Sequence, residues 1–297
     1  MIQLKPENHC KYYTRNYSAT VIEGKDSILH INRIITSDIA EITDLEYCKS
    51  LICDANGKII DAIEISNISG QLLLLGISAN AENTRNLIVS GIHWNEDVKI
   101  MNGDGALSII SMFAENLEEI KRILGEKSVN ESHSMWNEYG DYYTLNTQLK
   151  KDIQVNILIQ SNRVQDFIGI IEAKGAESCT KELWDMHRIE NGILSDEEYV
   201  HKFLPSELGL EKIVNLKKGC YPGQEIHARL ESRGKITKKI RRYNADIRLE
   251  SGTYTSNSGR KVTVTSSSKN KGFAMLSVKE NSEITLNDDI SLLIEEL

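Results

Sequence analysis

The densest run of chemically capable residues is Lys217-Lys218-Gly219-Cys220-Tyr221-Pro222-Gly223-Gln224-Glu225-Ile226-His227-Ala228-Arg229. Two lysines ahead of a cysteine favour its thiolate, and the free N–H groups of a helix starting just beyond act the same way. Cys220 thus reads as a reactive thiol and, equally well, as a small buried hydrophobe. Gly219 and Gly223 admit backbone conformations and close approaches denied to other residues, while Pro222 suits a turn or the first position of a helix over 224–230. Gln224 offers donors and an acceptor, and Glu225 with Arg229 has the i,i+4 spacing of an ordinary helix-surface pair. His227 reads as a surface or packing residue. Elsewhere Gly103-Asp104-Gly105 lacks the third glycine and following helix of a dinucleotide fingerprint and is a turn, and the chain contains no G-x-x-x-x-G-K-[ST], G-x-S-x-G or H-E-x-x-H.

Those residues belong to a chain of 297 residues with 35 Lys+Arg against 43 Asp+Glu, a formal charge of -8. That balance excludes a protein that coats nucleic acid over much of its surface. The cations are concentrated: 217–242 holds nine against Glu225 and Glu231, a +7 segment in a body of -15. With only Tyr221 inside it and Tyr243 just beyond as aromatics, the segment is a poor stacking platform for single strands. It suits one anionic ligand or an acidic partner. Five widely spaced cysteines, with no C-x-x-C, fit a reducing compartment and give no metal site; one thiol in the run cannot by itself hold a four-cysteine cluster. Residues 1–7 lack a signal layout and the longest apolar run is 72–75, so a cytoplasmic protein without membrane partners is expected.

The elements that position the run follow from periodicity and turn signals. Asp26 opens a helix with Ile28, Ile31, Ile34 and Ile35 on one face, ending before Thr36. Strand patterns at 45–54 and 59–66 flank Asn56-Gly57, a strong hairpin signal, and a third follows at 71–77. Helices over 83–92, 116–124, 164–173 and 180–188 alternate with strands at 98–101, 106–113, 142–145 and 153–159. This pattern describes two similar α+β halves. From 236 onward short β runs at 239–247, 260–265, 272–278 and 290–294 predict a small barrel or sandwich, giving a region over 1–235 and a C-terminal domain over 236–297.

The run resembles the K-G-C-[FY]-x-G-Q-E-x-x-x-R signature of the YgfZ-like proteins, folate-binding relatives of the glycine-cleavage T-protein, an aminomethyltransferase. Lys218, Gly219, Cys220, Tyr221, Gly223, Gln224, Glu225 and Arg229 match it. Upstream, Gly24-Lys25-Asp26 and Asn32-Arg33-Ile34-Ile35-Thr36-Ser37-Asp38-Ile39 resemble the family's opening helix and T-x-D turn. Arg188-Ile189-Glu190-Asn191-Gly192 and Leu204-Pro205-Ser206-Glu207-Leu208-Gly209-Leu210 are similar to its R-I-E-x-G and L-P-x-E-x-G-L blocks.

The resemblance implies an α+β three-domain cloverleaf: two interleaved ferredoxin-like halves plus a C-terminal β-barrel, with tetrahydrofolate or another reduced folate in the central hole. It places Glu190 where a T-protein glutamate binds the pterin, a task suited to a carboxylate that can accept paired N–H bonds from an aminopyrimidine edge. Arg188, Lys218, Tyr221, Gln224, Glu225, Arg229 and Arg233 complete the expected folate-binding set, with Cys220 as the functional thiol. Aligned through Asn56-Gly57-Lys58, the T-protein's acidic pair becomes Asp61-Ala62, so the second acid, the one expected to serve aminomethyl transfer, is missing. Asp61 would replace it only from the opposite face of the strand. The implied function is folate-linked support of iron–sulfur cluster assembly or repair, with iron–sulfur proteins or their assembly factors as partners; the alternative is a folate-dependent aminomethyltransferase.

Overall fold

The computed structural model describes residues 10–286 and 289–297, with nothing stated of the Arg233 side chain. The reading of residues 1–7 lies outside the described residues.

Two strands not expected from the sequence open the described chain, Lys11–Arg15 and Ser18–Glu23, and they split at once between two sheets. The alternation of the second is obscured because Ser18, Ala19 and Thr20 are all buried. The first sheet runs, in spatial order, Glu177–Ser178, Lys11–Arg15, Leu107–Ala114, Ile153–Gln160, Tyr142–Gln148 and Asn137–Tyr139. Helices Leu117–Leu124 and Val164–Ala173 cover one of its faces, packing Ile120, Ile123 and Phe167 on Ile110, Met112 and Val155. The second sheet runs Tyr47–Cys53, Ile59–Ile68, Gln71–Gly76, Ser18–Glu23 and Lys99–Asn102, and helices Ser27–Asn32 and Ala81–Ser90 cover it. The uncovered faces meet through Ala19, Leu73, Leu75, Ile109, Trp136 and Leu158. The chain thus begins in one α+β half, completes the other, and returns.

The third sheet, in spatial order Gly252–Thr255, Lys261–Ser268, Lys271–Ser277, Lys238–Ala245, Ser291–Glu295 and Glu283–Thr285, curls into a half-barrel. Ile240, Phe273 and Met275 from this sheet pack with Ile189 of helix Lys181–Asn191 and with Leu51 and Ile59 of the second sheet. The α+β architecture is the expected one.

The first helix is shorter than its isoleucines predict, stopping at Asn32. Asp26 does not cap it; its Oδ2 accepts instead from the Asp97 N–H at 2.9 Å. Ile35 leaves the helix to bridge Ile52, and the Thr36 N–H donates to the Leu51 carbonyl at 2.9 Å. Tertiary pairing with the strand outweighs the helical period here.

Candidate functional site

The signature loop is fixed by backbone contacts at both ends. Lys218 Nζ donates to Asn32 Oδ1 at 2.9 Å, the Ile35 carbonyl at 3.0 Å and the Ser37 carbonyl at 2.6 Å. One ammonium therefore gathers acceptors around the first helix's C-terminal turn, where carbonyls lack helical partners. Burial pulls its pKa down to about 8, against the upward pull of Asp38 and Cys48; the three acceptors stabilise the protonated form. The T-x-D turn is also stitched to the approach to the loop: Thr36 Oγ1 donates to the Ile213 carbonyl at 2.9 Å and the Asn215 N–H to the Thr36 carbonyl at 2.9 Å.

At the far end, Gly223 has φ +82°, and a Cβ there would stand 2.6 Å from the Asp54 carbonyl oxygen and 2.6 Å from the Gly57 Cα. Only glycine lets helix Gln224–Arg233 start this close to the 54–58 hairpin tip. His227 locks the same contact. Its Nε2 lies 2.8 Å from the Gly57 carbonyl and its Nδ1 3.3 Å from the hydroxyl of buried Tyr221. Its role is packing, as expected. Gln224 Nε2 donates to the Leu216 and Lys218 carbonyls at 3.3 and 3.4 Å, bracing the loop from inside. Cys220, between these anchors, is exposed, which sets aside the reading of it as a buried hydrophobe. Burial pushes Cys10 and Cys53 up to about 12 and Cys48 and Cys179 up to about 11, so thiolate chemistry is suppressed at those four.

The remaining expected residues are not gathered into one pocket. Arg188 is sealed and spends its guanidinium on Asp185 at 2.8 Å, Glu197 at 2.6 Å and Glu198 at 3.1 Å, an internal ion network. Glu190 accepts from Lys271 Nζ at 2.6 Å with Lys151 Nζ at 3.6 Å, and Lys271 holds its carboxyl below the usual glutamate range. Glu225 and Arg229 form an exposed i,i+4 pair at 2.5 Å. Asp61 is sealed against helix Ala81–Ser90, accepting from Thr84 Oγ1 at 2.6 Å and the Ile77 N–H at 2.9 Å, and burial pushes its pKa up to about 6. Ala62 points the other way, onto the Leu51 and Ile189 cluster. The +7 segment is also more balanced in space than along the chain: Lys238, Lys239, Arg241 and Arg242 pair with Glu207, Glu296, Glu296 and Glu295.

The space between the sheets holds charged groups that belong to no sequence motif. Arg15, at the end of the first strand, reaches Glu64 across the sheet interface at 2.9 Å, and the two side chains keep 25% and 18% exposure. Burial raises Glu64 but Arg15 outweighs it and holds the carboxyl below the usual range, with Lys49 and Tyr47 adding to the effect. Asp196, near Arg15, is pushed upward by burial. Strand alternation was the available signal, because Glu64 follows Ala62 by two and shares its face. Two clefts lie elsewhere. One, of about 240 Å³, runs beside the signature helix between Pro205, Val214, Leu216, His227, Leu230 and Ile236. The other, of about 360 Å³, lies between the sheets past Leu73 and Tyr143 and holds none of the expected residues.

No family model matches the chain. It is 22% identical over 242 residues to the tRNA-modifying protein YgfZ of Vibrio atlanticus, covering 77% of this chain and 68% of that protein. It is 24% identical over 239 residues to the aminomethyltransferase of Thermotoga petrophila, covering 74% of this chain and 62% of that protein, less than two thirds of its length. The crystal structure of the glycine cleavage system aminomethyltransferase T from Bartonella henselae superposes with a TM-score of 0.81 over 97% of this chain and 85% of that one, at 12% identity, a likeness of fold. Sequence and fold together make the chain a distant YgfZ-like relative of the glycine-cleavage aminomethyltransferases.

Proposed function

We propose that the chain binds tetrahydrofolate or another reduced folate and uses Cys220 to support assembly or repair of iron–sulfur clusters in the cytoplasm, without turning over as an aminomethyltransferase. The observation that carries this reading is a contrast between two positions. The exposed thiol stands on a loop locked by Lys218 and Gly223, whereas the strand face expected to carry the transfer acid presents Ala62. A loop held this firmly presents its sulfur at a fixed place without a catalytic base of its own, which suits a ligand or handover role more than group transfer. Asp61 does not rescue transfer, because both its oxygens are spent on Thr84 and Ile77 on the other side of the sheet.

The residues present fit a folate. A paired carboxylate and guanidinium, Glu64 and Arg15, lie between the sheets, and the strand that ends in Arg15 also carries Tyr13, whose ring stacks on Trp184. Exposed Lys217 beside Cys220 supplies a cation for a glutamate tail or an acidic partner. The YgfZ relatives are named tRNA-modifying proteins, and a place in tRNA modification comes to this chain in the same proposal, through iron–sulfur enzymes as clients. Direct coating of RNA is disfavoured by the acidic body. None of the helices of the described residues is long and apolar enough to cross a membrane.

The test has two arms. Calorimetric titration of the full chain with tetrahydrofolate is expected to show binding. In cells lacking the chain, the unaltered protein is expected to restore iron–sulfur enzyme activity and Cys220→Ala is not. Absence of folate binding together with full restoration by Cys220→Ala overturns the reading.

A further inference from the structure

The two sheets part along one margin of their shared face. Register puts Met101, Val21 and Leu73 side by side across neighbouring strands of the second sheet, with Ile68 and Gln71 paired next to them. From the first sheet, Leu158 is paired with Tyr143 and Leu107 with Gln160. Leu73 and Leu158 close on Ala19, Leu75 and Ile109, whereas Val21, Ile68, Leu107 and Tyr143 are only partly buried. These last four bound the cleft of about 360 Å³, and Met101, beside Val21, keeps 41% exposure. That volume stands at the low end of the roughly 300–1,000 Å³ range of small-molecule sites, and a seam between two packed units is where such sites occur. Its walls are aliphatic apart from the Tyr143 ring.

The mouth carries charge of both signs. Arg163 Nη2 donates to Asp141 Oδ2 at 2.6 Å, and the two side chains keep 49% and 65% exposure. An ion pair this exposed contributes at most about 1 kcal/mol, so turning it toward a ligand costs little. Among the described residues this is the one hydrogen bond of the Arg163 side chain, which leaves Nε and Nη1 for a second acceptor. Glu138 stands opposite Tyr143 in the register, Asp44 Oδ1 accepts from the Ser69 N–H at 2.7 Å beside Ile68, and Gln71 donates to Glu23. Among the described residues that line the cleft, Arg163 is the one cation. The complement is a molecule with one anionic group for the guanidinium fork, one cationic group for the carboxylates, and an aliphatic body for the walls.

We propose that this cleft binds a free α-amino acid with an aliphatic side chain, its carboxylate on Arg163, its ammonium between Asp141 and Glu138, and its side chain against Val21, Leu73, Leu107 and Leu158. A residue inside a protein segment carries neither backbone charge and a terminal one carries a single charge, so the occupant is the free molecule. None of these residues belongs to the signature or to the expected folate-binding set, and the site goes beyond the folate reading and does not depend on it.

The experiment is a ligand-observed NMR titration of the full chain, Arg163→Gln and Ile68→Phe with L-leucine, glycine, 3-methylbutylamine and 4-methylpentanoate. L-Leucine is expected to bind the unaltered chain at about millimolar or tighter, the reach of so small a ligand. The three analogues lack its side chain, its carboxylate and its ammonium in turn, and each should bind about tenfold more weakly. Arg163→Gln is an exposed change that leaves the core intact. It should weaken leucine by about tenfold and lose the preference for leucine over 3-methylbutylamine, a result that loosening of the fold does not produce. Ile68→Phe narrows the cleft and should weaken leucine by a similar factor; if it does not fold, Arg163→Gln decides. No saturable leucine binding, 3-methylbutylamine bound as tightly as leucine, or leucine bound unchanged by Arg163→Gln would each overturn the assignment and leave folate binding as it was.

Discussion

In the signature loop, residues 217–229 hold their place with one lysine spread over backbone carbonyls, a glycine that nothing larger can replace and a histidine seated on a hairpin tip. At the centre, Arg15, Tyr47, Glu64 and Asp196 come from four separate segments and meet through side chains alone. The loop is rigid and presents one exposed sulfur. The centre spends its charged groups on one another. The first arrangement is written in consecutive residues and the second exists only once two sheets have packed, so they fail in different ways when altered.

The largest expected effect is at Gly223. Alanine there drives a Cβ into the backbone of the 54–58 hairpin at a positive φ, and we expect a loss of about 3 kcal/mol or more in urea unfolding. A loss under about 1 kcal/mol would show that hairpin contact does not fix the loop. Next is Asp61. Burial raises its folded-state pKa to about 6, so between about pH 4 and pH 6 the folded state binds more protons than the unfolded one. Stability of the unaltered chain relative to Asp61→Asn therefore falls as pH rises through that window, by about 2–3 kcal/mol. Parallel pH profiles for the two proteins would contradict the burial of that carboxyl away from the centre. Lys218→Met removes the donor from three oxygens at the end of the first helix and should cost about 2 kcal/mol by the same measurement. A neutral result would make the lysine a ligand-facing group and narrow the contrast with the centre. Glu225→Ala is expected to stay within about 0.5 kcal/mol, since its pair with Arg229 is exposed. A larger loss would give that pair a role in the loop's rigidity.

What could be read in advance divides along the same line. The 54–58 hairpin and the helices over 116–124 and 180–188 were visible because turn chemistry and capping are local; Asn116 and Thr180 cap those helices, and the second runs three residues further, to Asn191, before Gly192 stops it. Alternation placed Asp61 and Ala62 on opposite faces for the same reason. Strand Ser18–Glu23 was hidden because burial on both faces erases a period of two, and Lys11–Arg15 because five residues with one buried side chain, Tyr12, carry too short an alternation. Arg15 was lost with its strand. Arg188 illustrates a further limit: a motif arginine can serve an internal ion network, and only the positions of Asp185, Glu197 and Glu198 reveal it.

The central claim is that this fold binds a folate and has given up group transfer at the face occupied by Ala62. It is tested most directly by incubating the full chain with tetrahydrofolate and an aminomethylated lipoyl carrier and measuring methylene-tetrahydrofolate. We predict formation no faster than the protein-free background under conditions where the folate is bound; sustained turnover would contradict the account.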